Sequence, residues 1–258
     1  GLLSKETAAG FFLIFLYFWG FTERKTLKQI FFNSLYFTPA VGIYALLRYI
    51  ALGKYFIGFD YPFAYNPLKF TPFFQSLWTS LKVFYLYLLK TVVPYQLSSD
   101  YSFNQIPIIK NPVLHYQVFV AVGVLAILIW FAVKKRNSIY GLSAAMFLFT
   151  YFLISNWFVK IGTIMGERLM YAPSLGLIVI IAVLLNDLLD KRVIFRKIIP
   201  AGLIAVLDIY GYVAVDRGRD WKNEPALIRS GYAASPNSVI SLTNMAFLAF
   251  NEKNYQKA

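Results

Sequence analysis

Apolar residues occur along the chain in long runs that are separated by short polar stretches. A helix needs about 20 apolar residues, each rising about 1.5 Å, to cross about 30 Å of hydrocarbon. This window predicts six transmembrane helices, at residues 2–22, 30–52, 113–133, 139–159, 172–189 and 198–215. The pattern therefore predicts an all-α, polytopic transmembrane helix bundle over residues 1–215.

Composition supports a membrane protein, because 59% of the residues are hydrophobic and only 14% are charged. An average soluble domain is about 45–50% apolar and about 25% charged. The net charge of +13 would suggest nucleic acid in a soluble chain. Here the basic residues cluster in short linkers between apolar runs, as membrane topology requires, so we expect no nucleic-acid partner.

The distribution of basic residues predicts which linkers face the cytoplasm. The short linkers Glu23–Gln29, Lys134–Asn137 and Asp190–Lys197 are rich in Lys and Arg, whereas the longer linkers hold few. Basic linkers remain on the cytoplasmic side. We therefore expect an integral multi-pass protein whose segment after residue 215 lies on the outer or lumenal side.

One apolar run does not fit this alternation. If residues 54 and 112 both lie outside, the run at residues 76–95 cannot cross the membrane once. Lys82 and Lys90 lie on roughly one helical face of the run. Both an interfacial helix and a re-entrant segment fit this pattern.

After Val215 the chain becomes polar, with helical periodicity and no run that is long enough to span. If Pro236 closes a helical repeat of about 34 residues, the next positions match the large, small, aromatic and small residues of a tetratricopeptide repeat. The matching residues are Leu242, Ala246, Tyr255 and Ala258. We therefore expect residues 216–258 to begin a tetratricopeptide repeat region, with an unrelated amphipathic helical hairpin as the alternative.

Both ends of the chain suggest a piece of a longer protein. It begins at Gly1 rather than Met, and it stops in the middle of the predicted repeat. A stable stack needs about three or more repeats. We expect further repeats to follow in the parent protein, and Asn237 and Ser238 to begin the first of the predicted repeat's helices.

Several classes of chemistry are excluded by residue counts. The chain has no Cys and a single His, His115, so it cannot form a Cys/His zinc site, an iron–sulfur site or a disulfide. A Ser-His-Asp arrangement would have to use His115. We expect neither a metal nor another cofactor.

Charged and polar side chains at three places are candidates for a functional site. Lys5 and Glu6 lie at the outer end of the first predicted span, where they either face a polar cavity or anchor the helix at the interface. Asp100 lies in a Ser-rich outer linker, where it either caps its own backbone or binds substrate. The third place is the linker before the span at 172–189.

In that third linker, Gly162 and Gly166 allow the backbone to bend and to approach a ligand. Arg168 can bind a phosphate through its planar set of donors, and Glu167 can orient the guanidinium. A basic residue on this side opposes the topology preference, which favours a functional role for Arg168.

Four stretches together resemble a known family. They are Leu3-Ser4-Lys5-Glu6, PYQLSSDYS at 94–102, GERLMYAPSLG at 166–176, and Arg219-Asp220-Trp221 before the predicted repeats. The chain resembles the transmembrane and tetratricopeptide repeat-containing protein O-mannosyltransferases, which belong to the C-type glycosyltransferase superfamily.

The resemblance implies a membrane enzyme that moves a sugar from a polyprenyl-phosphate donor to a protein hydroxyl on the non-cytoplasmic side. It implies that Glu167, Arg168 and Tyr171 surround the donor phosphate, that Lys5 and Glu6 face the same cavity, and that Asp100 is a secondary polar contributor. It places the catalytic acid in a first outer loop upstream of Gly1. It also implies that the repeats dock the acceptor protein.

Other functions remain open. A transporter or flippase of lipid-linked substrates would place charges along a path through the membrane and would show inverted repeats, but the two halves show no self-similarity. A membrane-anchored repeat scaffold would need only one or two spans. A polyprenyl-phosphate ligase is a close alternative within the same class of chemistry.

Overall fold

A computed structural model describes residues 8–53 and 61–252, and within those ranges every regular element is helical. The ten α-helices are α1 (Ala9–Tyr17), α2 (Leu27–Leu35), α3 (Thr38–Leu52), α4 (Phe73–Val92), α5 (Tyr116–Lys134), α6 (Ile139–Phe152), α7 (Tyr171–Leu189), α8 (Phe195–Asp220), α9 (Glu224–Ala234) and α10 (Val239–Asn251). A π-helix (Phe18–Thr22) follows α1, and 3₁₀ helices occupy Pro67–Phe70, Pro112–Leu114 and Glu167–Met170. The all-α prediction is confirmed for these residues.

Three helical segments are long and apolar enough to cross a membrane: Tyr116–Lys134, Glu167–Leu189 and Phe195–Asp220. They coincide with the predicted spans at 113–133, 172–189 and 198–215. A fourth candidate is the bent pair formed by α2 and α3. The total of six spans and the orientation of the chain stay predictions.

The segment predicted as one helix at 30–52 is instead broken between α2 and α3, whose axes differ by 48°. Pro39 lies in the first turn of α3. A proline ring clashes with the carbonyl four residues earlier, which belongs to Leu35, the last residue of α2. Hydropathy alone did not reveal this break, although the proline was visible.

The segment predicted at 139–159 is also shorter than expected, because α6 ends at Phe152. Asn156 then adopts a left-handed backbone with φ of 56°, which no continuing helix allows. The first predicted span begins outside the described residues, and the described part contains α1 and the π-helix.

Residues 76–92 of the run at 76–95 belong to the single helix α4, which does not reach the hydropathy of the three candidate spans. Its buried face follows the helical period and combines Ser76, Thr79 and Ser80 with apolar residues such as Phe84 and Tyr87. The lysines Lys82 and Lys90, together with these polar side chains, account for the low hydropathy. Whether α4 is interfacial or re-entrant stays a prediction.

The described residues divide into two compact units. The first comprises residues 8–53 and Tyr61, Val124–Ser155 and Ala172–Ile180. Here α1 packs on α6, and the Tyr17 hydroxyl donates to the carbonyl of Ala132 at 2.7 Å. At Gly176 an added Cβ would lie 2.5 Å from the carbonyl oxygen of Ser143, so only glycine permits this approach of α7 to α6.

The second unit comprises Pro62–Gly123, Asn156–Tyr171 and the described residues from Ile181 onward. In it, α9 and α10 pack against each other after α8, which runs through residue 215 to Asp220. Ser238 caps the start of α10, and its Oγ accepts a hydrogen bond from Ser241 N at 3.2 Å. The helix start predicted at Ser238 is confirmed, whereas the tetratricopeptide repeat stays a prediction; Tyr255 and Ala258 lie outside the described residues.

Candidate functional site

A pair of buried asparagines shapes the linker at 156–166. Asn66 Nδ2 donates to Asn156 Oδ1 at 3.0 Å and to the carbonyl of Ile161 at 2.7 Å. Asn156 Nδ2 in turn donates to the carbonyl of Thr163 at 3.0 Å. Both asparagines are almost fully buried, so these side chains replace water as partners of the linker backbone.

Lys160 in the same linker has a structural role. Its Nζ donates to the carbonyls of Asn156 and Trp157, the second at 3.1 Å. Ser80 of α4 donates to the same Asn156 carbonyl at 3.3 Å. The linker is therefore fixed on α4 before it reaches the 3₁₀ helix that begins at Glu167.

The stretch around Glu167 meets the PYQLSSDYS stretch, although the two are far apart in sequence. Glu167 Oε1 accepts a hydrogen bond from Ser98 N at 3.1 Å and another from the Tyr101 hydroxyl. Gly166 N donates to the hydroxyl of the buried Tyr87 at 2.9 Å. Two of the stretches that carry the family resemblance thus form one site in the second unit.

The Tyr101 phenol is 4% exposed. Burial raises the pKa of Tyr101, and the neighbouring Glu167 carboxylate and its hydrogen bond raise the pKa further. The phenol therefore keeps its proton and remains a donor to Glu167 at neutral pH. Lys90 Nζ lies 5.4 Å from the Tyr101 ring and donates to the carbonyls of Tyr95 and Gln96, at 3.0 and 2.8 Å.

The other two residues predicted in this stretch are exposed. Arg168 makes no hydrogen bond or ion pair with another side chain in the described ranges, and Tyr171 is 88% exposed. Glu167 Oε1 holds the loop at Ser98 and Tyr101, and its orientation of Arg168 stays a prediction. The guanidinium of Arg168 remains accessible to a ligand.

Asp100 is occupied by structural contacts. Its Oδ2 accepts hydrogen bonds from Ser102 N at 2.8 Å and from Ser238 Oγ at 2.6 Å. The first bond is the local cap expected for Asp in a Ser-rich turn. The second joins the loop to the start of α10. Lys5 and Glu6 lie outside the described residues, so their shared cavity with Arg168 stays a prediction.

Further hydrogen bonds attach the same loop to the turn between α9 and α10. Asn104 N donates to the carbonyl of Asn237 at 2.9 Å, and Val239 N donates to the carbonyl of Phe103 at 2.5 Å. An added Cβ on Gly231 would lie 2.9 Å from Ser99 Oγ, so α9 approaches the loop closely at this glycine. The polar tail is therefore docked beside the site.

A groove of about 560 Å³ separates the start of this loop from the end of α8 and from α9. Its lining residues are Pro94, Tyr95, Gln96, Leu97, Tyr212, Val213, Asp216, Arg217, Asp220, Ser230, Ala233 and Ala234. Within the groove, Arg217 Nη1 donates to Asp220 Oδ2 at 2.5 Å and to Ser230 Oγ at 2.6 Å.

Sequence reasoning missed Tyr87, Lys90 and Arg217 as parts of the site. Tyr101 belonged to a stretch that was recognised, but only Asp100 was selected from it. The available signal was weak, because a buried Tyr and a Lys within an aromatic run also fit an ordinary interfacial helix. In the described residues, no cluster of three or more His, Asp or Glu side chains could hold a metal ion.

Comparison with known proteins identifies relatives. The chain is 25% identical to the protein O-mannosyl-transferase TMTC3 of Mus musculus over 208 residues. The matched region covers 79% of this chain and 22% of the mouse protein. It is 26% identical over 257 residues to the protein O-mannosyl-transferase F38B6.6 of Caenorhabditis elegans, covering 92% of this chain and 34% of that protein. The resemblance to this family is confirmed.

A third relative, the protein O-mannosyl-transferase tmtc2 of Xenopus laevis, is 31% identical over 104 residues, which cover 40% of this chain and 12% of that protein. The chain thus spans about a fifth of the length of the mouse O-mannosyl-transferase, for which the covered share is 22%. No family model matches the chain. No solved structure matches it either.

Proposed function

We propose that this chain is part of a membrane glycosyltransferase that moves mannose from a polyprenyl-phosphate donor to a protein hydroxyl on the non-cytoplasmic side. The relatives are named protein O-mannosyl-transferases, which supports the reaction class. The observation that carries the proposal is the contact of Glu167 with Ser98 and Tyr101, because it unites two motif stretches at one site.

In this proposal Arg168 binds the donor phosphate. Its exposed guanidinium follows directly after Glu167, whose carboxylate fixes the backbone at this point. A guanidinium offers two parallel donors to a phosphate and stabilises the negative charge that grows on the departing lipid phosphate. Tyr171, one helical turn farther on, borders the same ligand.

Glu167 is a positioning residue in this mechanism, since its Oε1 is already held by two donors. Transfer also needs a carboxylate that accepts the proton of the acceptor hydroxyl. The family resemblance assigns that carboxylate to another loop, and Asp100 is a poor substitute because two hydrogen bonds hold its Oδ2.

The test is Arg168→Ala in the intact protein. We expect transfer of mannose from a polyprenyl-phosphate mannose to a Ser/Thr peptide to fall about 100-fold, the effect typical of removing one group that stabilises transition-state charge. Arg168→Lys should retain part of the activity. Arg192→Ala, at an exposed arginine in a predicted cytoplasmic linker, is the matched control and should leave transfer unchanged.

Protease protection should show the same membrane insertion for all three variants. If Arg168→Ala transferred mannose at the normal rate, the donor site would have to be sought elsewhere. If the unmodified protein transported the lipid-linked sugar without transferring it, the flippase alternative would replace the proposal.

The acceptor protein is proposed to dock on the tail. In support, α9 contributes one wall of the groove, and Ser238, which caps α10, binds Asp100. Deleting the tail should impair transfer to protein more than binding of the lipid-linked sugar. Equal loss of both would contradict this division of labour.

A further inference from the structure

The groove between the loop and the tail has an unusual charge for this protein. The chain carries a net charge of +13, yet the charged groups that line the groove are the carboxylates of Asp216 and Asp220 and the guanidinium of Arg217. Arg217 is already paired with Asp220 at 2.5 Å. Asp216 is paired in the same way with Arg219, at 3.5 Å. Each carboxylate that lines the groove therefore has an arginine partner, and a groove without excess charge favours an uncharged ligand that forms hydrogen bonds.

The rim of the groove carries aromatic side chains, and its far wall is formed by small ones. Tyr95 is 70% exposed and Tyr212 is 74% exposed, and they project from the two opposing walls. Ala233 and Ala234 of α9 leave space between them. Exposed tyrosines around a cleft of this size are typical of sites that bind a polypeptide segment, because each supplies contact area at a low entropic cost.

The groove is also connected to the site at Glu167. Its near wall, Pro94–Leu97, continues directly into Ser98 and Tyr101, which bind Glu167. Lys90 fixes this wall from behind through the carbonyls of Tyr95 and Gln96. A segment lying in the groove would therefore end close to the loop that Glu167 holds.

We propose that this groove binds the acceptor: an extended, hydroxyl-bearing polypeptide segment with uncharged flanking residues. The inference rests on the proposed function and adds to it a second site, separate from Arg168, that selects the acceptor. Tyr95 and Tyr212, which line the groove, contact the segment.

The first measurement is photo-crosslinking, which does not depend on transfer. A p-benzoylphenylalanine replaces Tyr212 in the intact protein, and the probe is a fluorescent, uncharged peptide rich in Ser and Thr. The matched control carries the same replacement at Tyr232, which lies on α9 but does not line the groove. We expect crosslinking from position 212 and none from position 232.

The second measurement separates acceptor from donor. Tyr212→Ala should raise the KM for the peptide about tenfold, the loss expected for one aromatic contact, while the KM for the lipid-linked sugar stays unchanged. Tyr232→Ala should change neither constant. A peptide with several charged residues beside its Ser and Thr should have a higher KM than the uncharged peptide.

The outcomes separate the two proposals. If the KM for the donor rises while that for the peptide does not, the groove belongs to the lipid-linked sugar and the inference is overturned. The inference is also overturned if Tyr212→Ala leaves both KM values unchanged and position 212 gives no crosslink. In that case, transfer by the unmodified protein would still support the proposed function. Crosslinking at position 212 without any transfer would support the groove and remove the glycosyltransferase proposal.

Discussion

The linker at 156–166 and the loop at 94–105 both contain buried polar side chains, but their hydrogen bonds have different destinations. In the linker, buried side chains serve the linker's own backbone: Asn156 donates to the carbonyls of Thr163 and Ile164, and Asn66 donates to that of Ile161. In the loop, Ser98 and Asp100 bind residues that are more than sixty positions away, at Glu167 and Ser238.

This difference indicates that the linker is a structural scaffold, whereas the loop belongs to the candidate site. A segment whose backbone carbonyls are satisfied by buried side chains holds one shape and offers few polar groups to a ligand. The loop instead bonds to the Glu167 stretch and to the tail, so its position depends on both. Changes in the linker should therefore affect folding, whereas changes in the loop should affect how these distant segments are joined.

The largest expected effect is that of Asn156→Ala. It leaves several buried carbonyls without donors and places alanine at a positive φ, so we expect a loss of about 3 kcal/mol or more in the free energy of unfolding. Thermal unfolding of the purified protein in detergent measures this loss. Asn111→Ala removes a comparable side-chain acceptor, for Val113 N at 3.1 Å, from an exposed site and should cost under about 1 kcal/mol. Equal losses would show that the linker is not a scaffold.

The next effect concerns the hydrogen bond between Glu167 and Tyr101 of the loop. A double-mutant cycle of Glu167→Gln and Tyr101→Phe should give a coupling free energy of about 2 kcal/mol, because the hydrogen bond involves a charged acceptor in a buried setting. Unfolding free energies of the four proteins supply the value. The same cycle with Tyr232→Phe in place of Tyr101→Phe should give a coupling near zero. A coupling near zero for Tyr101 would mean that the two motif stretches are not held together by this contact.

Hydropathy predicted the helices α5, α7 and α8 because a membrane-crossing helix must be long and continuously apolar. It did not predict the break at Pro39 or the early end of α6, since both depend on single residues within apolar sequence. The resemblance selected two stretches that the structure brings into contact. Neither hydropathy nor the resemblance could show that Glu167 bonds to the loop while Arg168 is exposed, because pairing between distant loops leaves no periodic pattern.

Asp100 shows the same limit. Its cap on Ser102 was predictable from the local Ser-rich sequence, since the two residues are only two positions apart in the turn. Its bond to Ser238 joins residues 138 positions apart. The sequence therefore indicated a local turn residue, and only the three-dimensional arrangement shows that it attaches the tail.

The attachment of the tail gives the third prediction. Ser238→Ala removes the cap of α10 and the bond to Asp100, so it should cost about 1–2 kcal/mol in the free energy of unfolding. Ser235→Ala is a matched control, because Ser235 is equally buried and its Oγ has no hydrogen-bond partner in the described part of the chain. It should be neutral. Limited proteolysis of the tail would follow the same order, and equal sensitivity of the two variants would contradict a specific attachment at Ser238.

The smallest effect is confined to alkaline pH and concerns Tyr101. Burial and Glu167 raise the pKa of Tyr101 in the folded protein, whereas the unfolded chain titrates near the ordinary value of about 10. Stability is therefore complete below about pH 10 and is lost as the pH rises toward the folded-state pKa, by at most about 1.4 kcal/mol for each pH unit. Tyr101→Phe should be less stable than the unmodified protein at neutral pH. Between pH 9 and 11 it should lose less stability than the unmodified protein does, as measured by thermal unfolding. Tyr95→Phe is the control, because this phenol is 70% exposed, and it should lose as much stability between pH 9 and 11 as the unmodified protein does. If Tyr101→Phe also lost the full amount, the loop would not be held by a protonated phenol.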